Sequence, residues 1–298
     1  MDKRGELSTQ QMVVLIILIA SFGIILFFIA RLNLGETSEQ EICHNSVITR
    51  GSSVLPTGSV PLNCKRSYVC LTRDGSCESL TKPIKEKVET KEEVYHVLAE
   101  EMATCWWMFG EGKINYVGDD FFENLYCSIC TQVAFDDSVQ DIFTAGVVDK
   151  SEFYEYLTNN NVEGKEESYS EYLKIGESLE LENTLKENDA TFGSFDLSKQ
   201  HYVFTGIYSD LGVWKWVASV AAAGAALGGI IAVPFTSGLS LGVTAAILTG
   251  GVAGGVGGHY IGTAYRGESG HDYLPIVFVE VNSPEFKSFK CKSITTLS

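Results

Sequence analysis

The sequence predicts a membrane protein of the α+β class, with an N-terminal transmembrane helix, a disulfide-stapled extracytoplasmic α+β domain and a C-terminal helical hairpin. Three observations carry that prediction. Residues 12–30 are nineteen consecutive positions without a charge. Residues 217–265 contain no Asp, Glu, Lys or Arg. Eight cysteines lie outside both runs. The divisions that follow are a cytoplasmic N-terminus over 1–11, a transmembrane helix over 12–32 and an extracytoplasmic cysteine-bearing domain over 33–213. A helical hairpin over 214–266 and a tail over 267–298 that folds back on the outer domain complete the chain.

A helix needs roughly 20 apolar residues to cross a hydrocarbon core about 30 Å thick, which the first run nearly supplies. Ser8 and Gln11 stand at capping-box spacing, so the helix is expected to begin before the apolar run. Lys3 and Arg4 precede it and place that end in the cytoplasm by the positive-inside rule, with the rest of the chain outside. A cleaved secretory signal would end its shorter apolar core in a small-x-small site, which Phe28-Ile29-Ala30 does not supply. The order Lys3-Arg4-Gly5-Glu6, a short polar stretch and then the helix resembles the class III signal of archaeal type IV pilin-like proteins. That resemblance implies cleavage after Gly5, with the helix kept as an assembly or anchoring element.

The net charge of -16 falls mostly between the two apolar runs. An acidic surface lacks the Lys and Arg clusters that replace counterions on phosphate backbones, so nucleic acid is excluded as a partner. The cysteines are Cys43, Cys64, Cys70, Cys77, Cys105, Cys127, Cys130 and Cys291. An even count behind an export-type N-terminus favours disulfides, and all eight are candidates, with connectivity left open. Within the domain, Thr90 and Glu93 at capping-box spacing, followed by Val94, Leu98, Met102, Cys105 and Phe109, predict an amphipathic helix over 91–109 that Gly110 ends. Trp106-Trp107 is read as core packing, with a partner-binding patch as the alternative. Residues 67–72 predict a strand, and Asp74-Gly75 a hairpin turn before Cys77. Further on, a strand over 130–135, short helices over 138–143 and 152–157, the second capped by Asp149 or Ser151, a loop-rich stretch over 160–200 and a strand over 202–208 are expected. A strand over 273–281, interrupted by Pro275, and a helix start at Ser283-Pro284-Glu285 lead to Cys291.

Cys127-Ser128-Ile129-Cys130 is the one motif that could carry chemistry. Structural disulfides, a metal site and a redox couple are all open to it. A redox CxxC uses a helix N-terminus to lower the pKa of its first thiol, and here the motif leads into a strand instead. Zinc would require a second pair such as Cys64 and Cys70, whose spacing is too long for a knuckle. The five histidines are scattered, Glu100-Glu101 point apart on a helix, and Asp136-Asp137 read as a helix cap. No cofactor is expected. The stretch Cys105-Trp106-Trp107-Met108-Phe109-Gly110-Glu111-Gly112-Lys113, together with the CxxC, resembles uncharacterised membrane-anchored archaeal proteins, a likeness that implies no activity.

In the second apolar run, Gly238, Gly242, Ala246, Gly250, Gly254, Gly258 and Gly262 follow one another at four-residue spacing. On a helix this makes a smooth face that admits a second backbone. Two membrane-length helices joined near Pro234 and Ser237-Gly238 are expected, with Trp214, Trp216, Tyr260 and Tyr265 as interfacial aromatics and Lys215 and Arg266 as snorkelling cations. The segment resembles the glycine-zipper two-helix hairpins of bacterial surface antigens. Membrane lipid and a protein partner or second copy on the glycine-zipper face are the partners this implies. The functional expectation is a non-enzymatic envelope protein with a structural or interaction role. A thiol–disulfide oxidoreductase using Cys127 and Cys130 is the alternative, and an oligomeric pore built on the zipper is the third reading.

Overall fold

The computed structural model describes residues 9–31, 34–53, 59–117, 125–175, 193–208, 230–235, 243–249, 259–283, 286–287 and 289–293. For residues 9–11, 26–31, 34–38, 230–235, 243–249 and 259–266 the backbone alone is described. The chain divides into two compact units, residues 1–41 and 42–298.

The first unit holds helix α1, Thr9–Arg31, and the start of helix α2, Leu34–Ser52. The uncharged run is helical throughout, as no proline or charge interrupts it. Among the described residues no helix is long and apolar enough to cross a membrane. Side chains of α1 are described only between Met12 and Ile25, so that statement covers part of the run 12–30. Helix α2 is absent from the sequence reading, and its polar composition shows why: it has no apolar periodicity to announce it. Tertiary contacts hold its second half. Val47 and Cys43 are fully buried, and the His44 ring stacks on Trp107 at 4.0 Å, donating from Nδ1 to the Trp107 carbonyl over 2.7 Å.

The second unit is built on a sheet. Its strands are β1 (Ser67–Thr72), β2 (Ile84–Lys87), β3 (Leu125–Phe135), β6 (His201–Tyr208), β7 (Ile230–Phe235), β8 (Val243–Thr249), β9 (His259–Arg266), β10 (Asp272–Glu280) and β11 (Lys292–Ser293). The order is β2-β1-β3-β6-β10-β9-β8-β7, with β11 pairing to β3. β1 runs parallel to β2 and β3, and every pairing from β3 through β6, β10, β9 and β8 to β7 is antiparallel. Helices α3 (Lys91–Met108), α4 (Asp137–Gln140), α5 (Lys150–Asn159) and α6 (Tyr169–Tyr172), and a small pair β4 (Val147–Asp149) with β5 (Ser194–Asp196), complete it.

The capping signals at Thr90, Gly110 and Asp149 act as read, and Ser8 and Pro284-Glu285 lie outside the described residues. Thr90 accepts from the Glu93 amide at 3.2 Å, and Gly110 follows the end of α3 at φ 79, a conformation open to glycine without strain. Asp149 accepts from the Ser151 amide at 2.8 Å and starts α5. Trp106 is 1% exposed, which makes it core. The Asp74-Gly75 turn forms and Cys70–Cys77 staples it, but no hairpin follows. The chain returns instead to lay β2 parallel to β1.

The helical hairpin over 214–266 is corrected: its described parts are the strands β7, β8 and β9. Ala246 on β8 faces Gly262 on β9 and Ala232 on β7 in register. Gly238, Gly242, Gly250, Gly254 and Gly258 lie outside the described residues. The physical reason is that a four-residue repeat is also twice the two-residue period of a strand, so small residues so spaced share a strand face as readily as a helix face. Ile230, Ile231, Val233, Ile247, Ile261 and the threonines among them are β-branched and suit a pleated surface.

Trp106→Ala is expected to destabilise the second unit by about 3–5 kcal/mol, and Thr90→Ala by about 1 kcal/mol. Urea titration of the full chain in detergent, followed by tryptophan fluorescence and circular dichroism, measures both.

Candidate functional site

The Cys127–Cys130 motif sits on β3, where side chains alternate between faces. Leu125, Cys127 and Ile129 belong to the apolar cluster on one face, with Phe204, Leu274, Val277 and Phe289. Between Ile129, opposite Phe204, and Thr131, opposite Val203, the register slips by one residue, so Cys130 is the inserted residue of a β-bulge. Beyond it the alternation is reversed, and Cys130, Val133 and Phe135 lie in the other cluster with Val94, Leu98 and Trp106 of α3. Three residues apart on a strand, the two cysteines therefore leave the sheet on opposite sides.

Each is bonded to a distant partner. Cys130 joins Cys105 of α3, with a Cα separation of 5.6 Å, and Cys127 joins Cys291 of the tail at 5.4 Å. Cys43–Cys64 and Cys70–Cys77 account for the rest, and no cysteine is free. The Cα separations of all four fall in or at the edge of the usual range for such bonds. A couple between Cys127 and Cys130, which the oxidoreductase reading requires, is not formed, and among the described residues the motif lies within a strand, not at a helix N-terminus. The paired Cys64 and Cys70 of the zinc reading are likewise committed elsewhere. Among the described residues no group of three or more His, Cys, Asp or Glu could hold a metal ion.

The carboxylates are spoken for. Glu101 accepts from Thr131 Oγ1 at 2.7 Å, while Glu100, pointing the other way on α3, accepts from the Tyr169 hydroxyl. Asp136 caps α4 through the Ser138 amide at 3.1 Å. Tyr95 donates to Glu152 at 2.9 Å and Tyr172 to Glu111 at 2.7 Å. Burial first, and then the carboxylate acceptor, pushes the phenols of Tyr95, Tyr169 and Tyr172 above their ordinary range. These three phenols therefore stay protonated near neutral pH.

Two charged or titratable centres escaped the sequence reading. Glu111 sits in a turn where Gly110, Glu111 and Gly112 all have positive φ, and it binds Lys113 at 2.6 Å and Lys165 at 3.3 Å. Burial pushes its carboxyl up, but the hydrogen bonds from Lys113 and Tyr172 and the two lysine charges outweigh that and bring it down to about 2. The Gly-Glu-Gly sequence was the available signal. His201 is 1% exposed, stacked on Phe278 at 4.8 Å with Phe195 and Phe135 at its edges. Neither ring nitrogen has a hydrogen-bond partner of good geometry among the described residues, although the Lys199 backbone lies close enough to favour the charged form somewhat. Burial, and then the charge of Lys150, pushes His201 down to about 3. No signal in the sequence sets it apart from the other histidines.

The geometry thus supplies a rigid, cross-linked, acidic scaffold and no assembled catalytic group among the described residues. The chain matches no protein-family model, no curated protein and no solved structure.

Peptide mapping of the unreduced protein is expected to recover Cys127 linked to Cys291 and Cys105 linked to Cys130; a Cys127–Cys130 peptide would contradict this geometry. His201 should make the fold acid-labile. Its pKa of about 3 in the folded chain lies below the unfolded value of 6.5, so only the unfolded state takes up the proton as pH falls from 6.5 towards 3. Stability then drops by roughly 1.4 kcal/mol per pH unit in that window, and His201→Leu should flatten that slope in urea titrations at several pH values. Glu111 acts in the same direction, at lower pH. Its depressed pKa stabilises the fold above 4.5, and that contribution disappears as pH falls from 4.5 to about 2.

Proposed function

We propose that this protein is a non-enzymatic envelope protein, anchored in the cell membrane by α1, whose acidic disulfide-bonded domain stands on the non-cytoplasmic side and makes structural or recognition contacts. The observation that carries this reading is the exposure of α1. The large apolar side chains described between Met12 and Ile25 are 50–64% exposed. Each such side chain gains about 1.5–3 kcal/mol on full burial, so a helix of this composition calls for an apolar surrounding, and lipid provides one.

Two further features support the orientation. Lys3 and Arg4 on the short flank favour the cytoplasm. All eight cysteines, every one of them C-terminal to α1, are disulfide-bonded, which suits an oxidising compartment. Cys291 is bonded to Cys127, so this reading keeps the tail and the domain on the same side. The likeness of the Lys3–Glu6 stretch to a class III signal fits the same placement, with Gly5 as the proposed cut.

Because no thiol is free, a single introduced cysteine reports topology without background. Ser8→Cys and Glu166→Cys are made separately in the full chain and treated with a membrane-impermeant maleimide in intact cells. Labelling at 166 in intact cells, with labelling at 8 only after permeabilisation, is expected, and the chain should resist extraction from membranes by alkaline carbonate. Labelling at 166 that requires permeabilisation, or release by carbonate, would overturn the reading.

A further inference from the structure

Carboxylates are spread unevenly along this acidic chain, and the net charge hides two basic stretches. Residues 42–73 contain no Asp or Glu and hold Arg50, Lys65, Arg66 and Arg73; residues 286–298 contain none and hold Lys287, Lys290 and Lys292. The fold brings the two stretches to one face of the sheet. Val69 and Leu71 of β1 pack with α3, so Tyr68, one residue before Val69, looks to the opposite face, where the tail lies. The Arg66 guanidinium sits 5.2 Å above the Tyr202 ring, and Phe286 of the tail packs against that same ring at 5.2 Å. Phe289 packs on Phe204 beside it, and Cys127–Cys291 fixes the tail there.

While the aromatic rings of the tail turn inward, its cations stay outside. Lys65, Arg66, Lys287, Lys290 and Lys292 are all exposed, and Tyr68 is 41% exposed. Lys292 leans over Tyr126 with its ammonium 5.1 Å from the ring. Asp74, the first carboxylate after Arg73, is occupied within its own turn by Thr72 and Ser76. Lysine and arginine beside an exposed tyrosine suit the boundary of an anionic bilayer, where cations meet lipid phosphates and tyrosine sits at headgroup level.

The net charge of -16 opposes the approach of the domain to such a surface. Screening, however, limits each exposed charge to about 8 Å at physiological ionic strength, so the nearest face decides. The first basic stretch begins within about 40 Å of chain from Arg31, the last residue of α1, and Cys43–Cys64 ties Lys65 and Arg66 to α2. With α1 anchored, the bilayer is the one polyanion that never leaves the reach of this face. We propose that the face formed by Lys65, Arg66, Tyr68 and the tail lysines docks on anionic lipid headgroups of the membrane that holds α1, turning the acidic remainder of the domain outward. The tether in this proposal rests on the anchoring reading above; the surface rests on the charge pattern alone.

The test uses the full chain, reconstituted into vesicles of phosphatidylcholine and into vesicles of phosphatidylcholine mixed with phosphatidylglycerol. Flotation reports attachment. Acylation by a neutral amine-reactive reagent, mapped by mass spectrometry, reports docking. Lys65, Lys287, Lys290 and Lys292 are expected to react about fivefold or more slowly on the anionic vesicles, and raised salt should remove the difference. Lys165, which lies over Tyr172 on the α3 side, should react alike on both. Lys287→Glu combined with Lys290→Glu should restore the reactivity of Lys65; if that variant scrambles the disulfide map, the comparison of lipids in the unaltered chain decides alone. Equal reactivity on both lipids, in a chain that floats with both, overturns the proposal and leaves anchoring intact. Flotation with the anionic vesicles only, with these lysines shielded, overturns anchoring by α1 and leaves the docking face. Shielding of the same lysines by soluble polyglutamate, with none on the anionic vesicles, overturns the proposal and assigns the face to an acidic polypeptide.

Discussion

Two covalent cross-links leave β3 from opposite faces, and the arrangement of the second unit follows from that. Cys130 binds α3 to one face through Cys105, and Cys127 binds the C-terminal tail to the other through Cys291. The bulge at Cys130 lets one strand serve both layers. Before it, Leu125 and Cys127 face the tail, where Phe289 is 2% exposed. After it, Thr131 reaches Glu101 and Val133 and Phe135 pack with α3. Laid in unbroken alternation with Cys130 in the ladder, the same residues would turn Val133 and Phe135 to the wrong layer. β10 carries the matching device: its register slips between Leu274 and Val277, around Pro275, a residue that cannot donate to a ladder and is accommodated at a bulge.

The parts legible in the sequence are those whose signals are local. α3 shows its apolar spacing and its Thr90 cap, β1 its alternation, and α5 its Asp149 cap, and each forms close to where those residues place it. α2 was illegible because what holds it comes from far away: Cys64, and Trp107 stacked on His44. The partners of Cys127 and Cys130 were illegible for a related reason. A spacing of three suggests a shared loop or helix turn, whereas on a strand it separates the sulfurs by the thickness of the sheet. The small-residue repeat failed differently. Its period fits two secondary structures, and nothing in the repeat itself chooses between them; the β-branched residues between the small ones carried the deciding information.

Charge is distributed with the same division of labour. The most strongly depressed carboxyl, Glu111, is held by two lysines and a phenol in a turn that no regular element could provide. The buried imidazole of His201 is enclosed by aromatic rings. The first contributes stability at neutral pH and the second subtracts from it as acid is added, so both make the domain a neutral-pH structure.

The bond between Cys127 and Cys291 spans 164 residues of sequence. A closed loop of that length restricts the unfolded chain more than any one of the other three does, by about 5 kcal/mol in the chain-entropy account. It also sets an order of events. Synthesis delivers the N-terminal part first, so β3 emerges long before the strand β11 and the cysteine that complete it. Until residue 291 has arrived, Cys127 is a free thiol beside Cys130, and Cys105 has two candidate partners three residues apart. The correct pairing thus depends on a stretch made 164 residues later, and a nascent domain stalled short of it is exposed to the wrong cross-link.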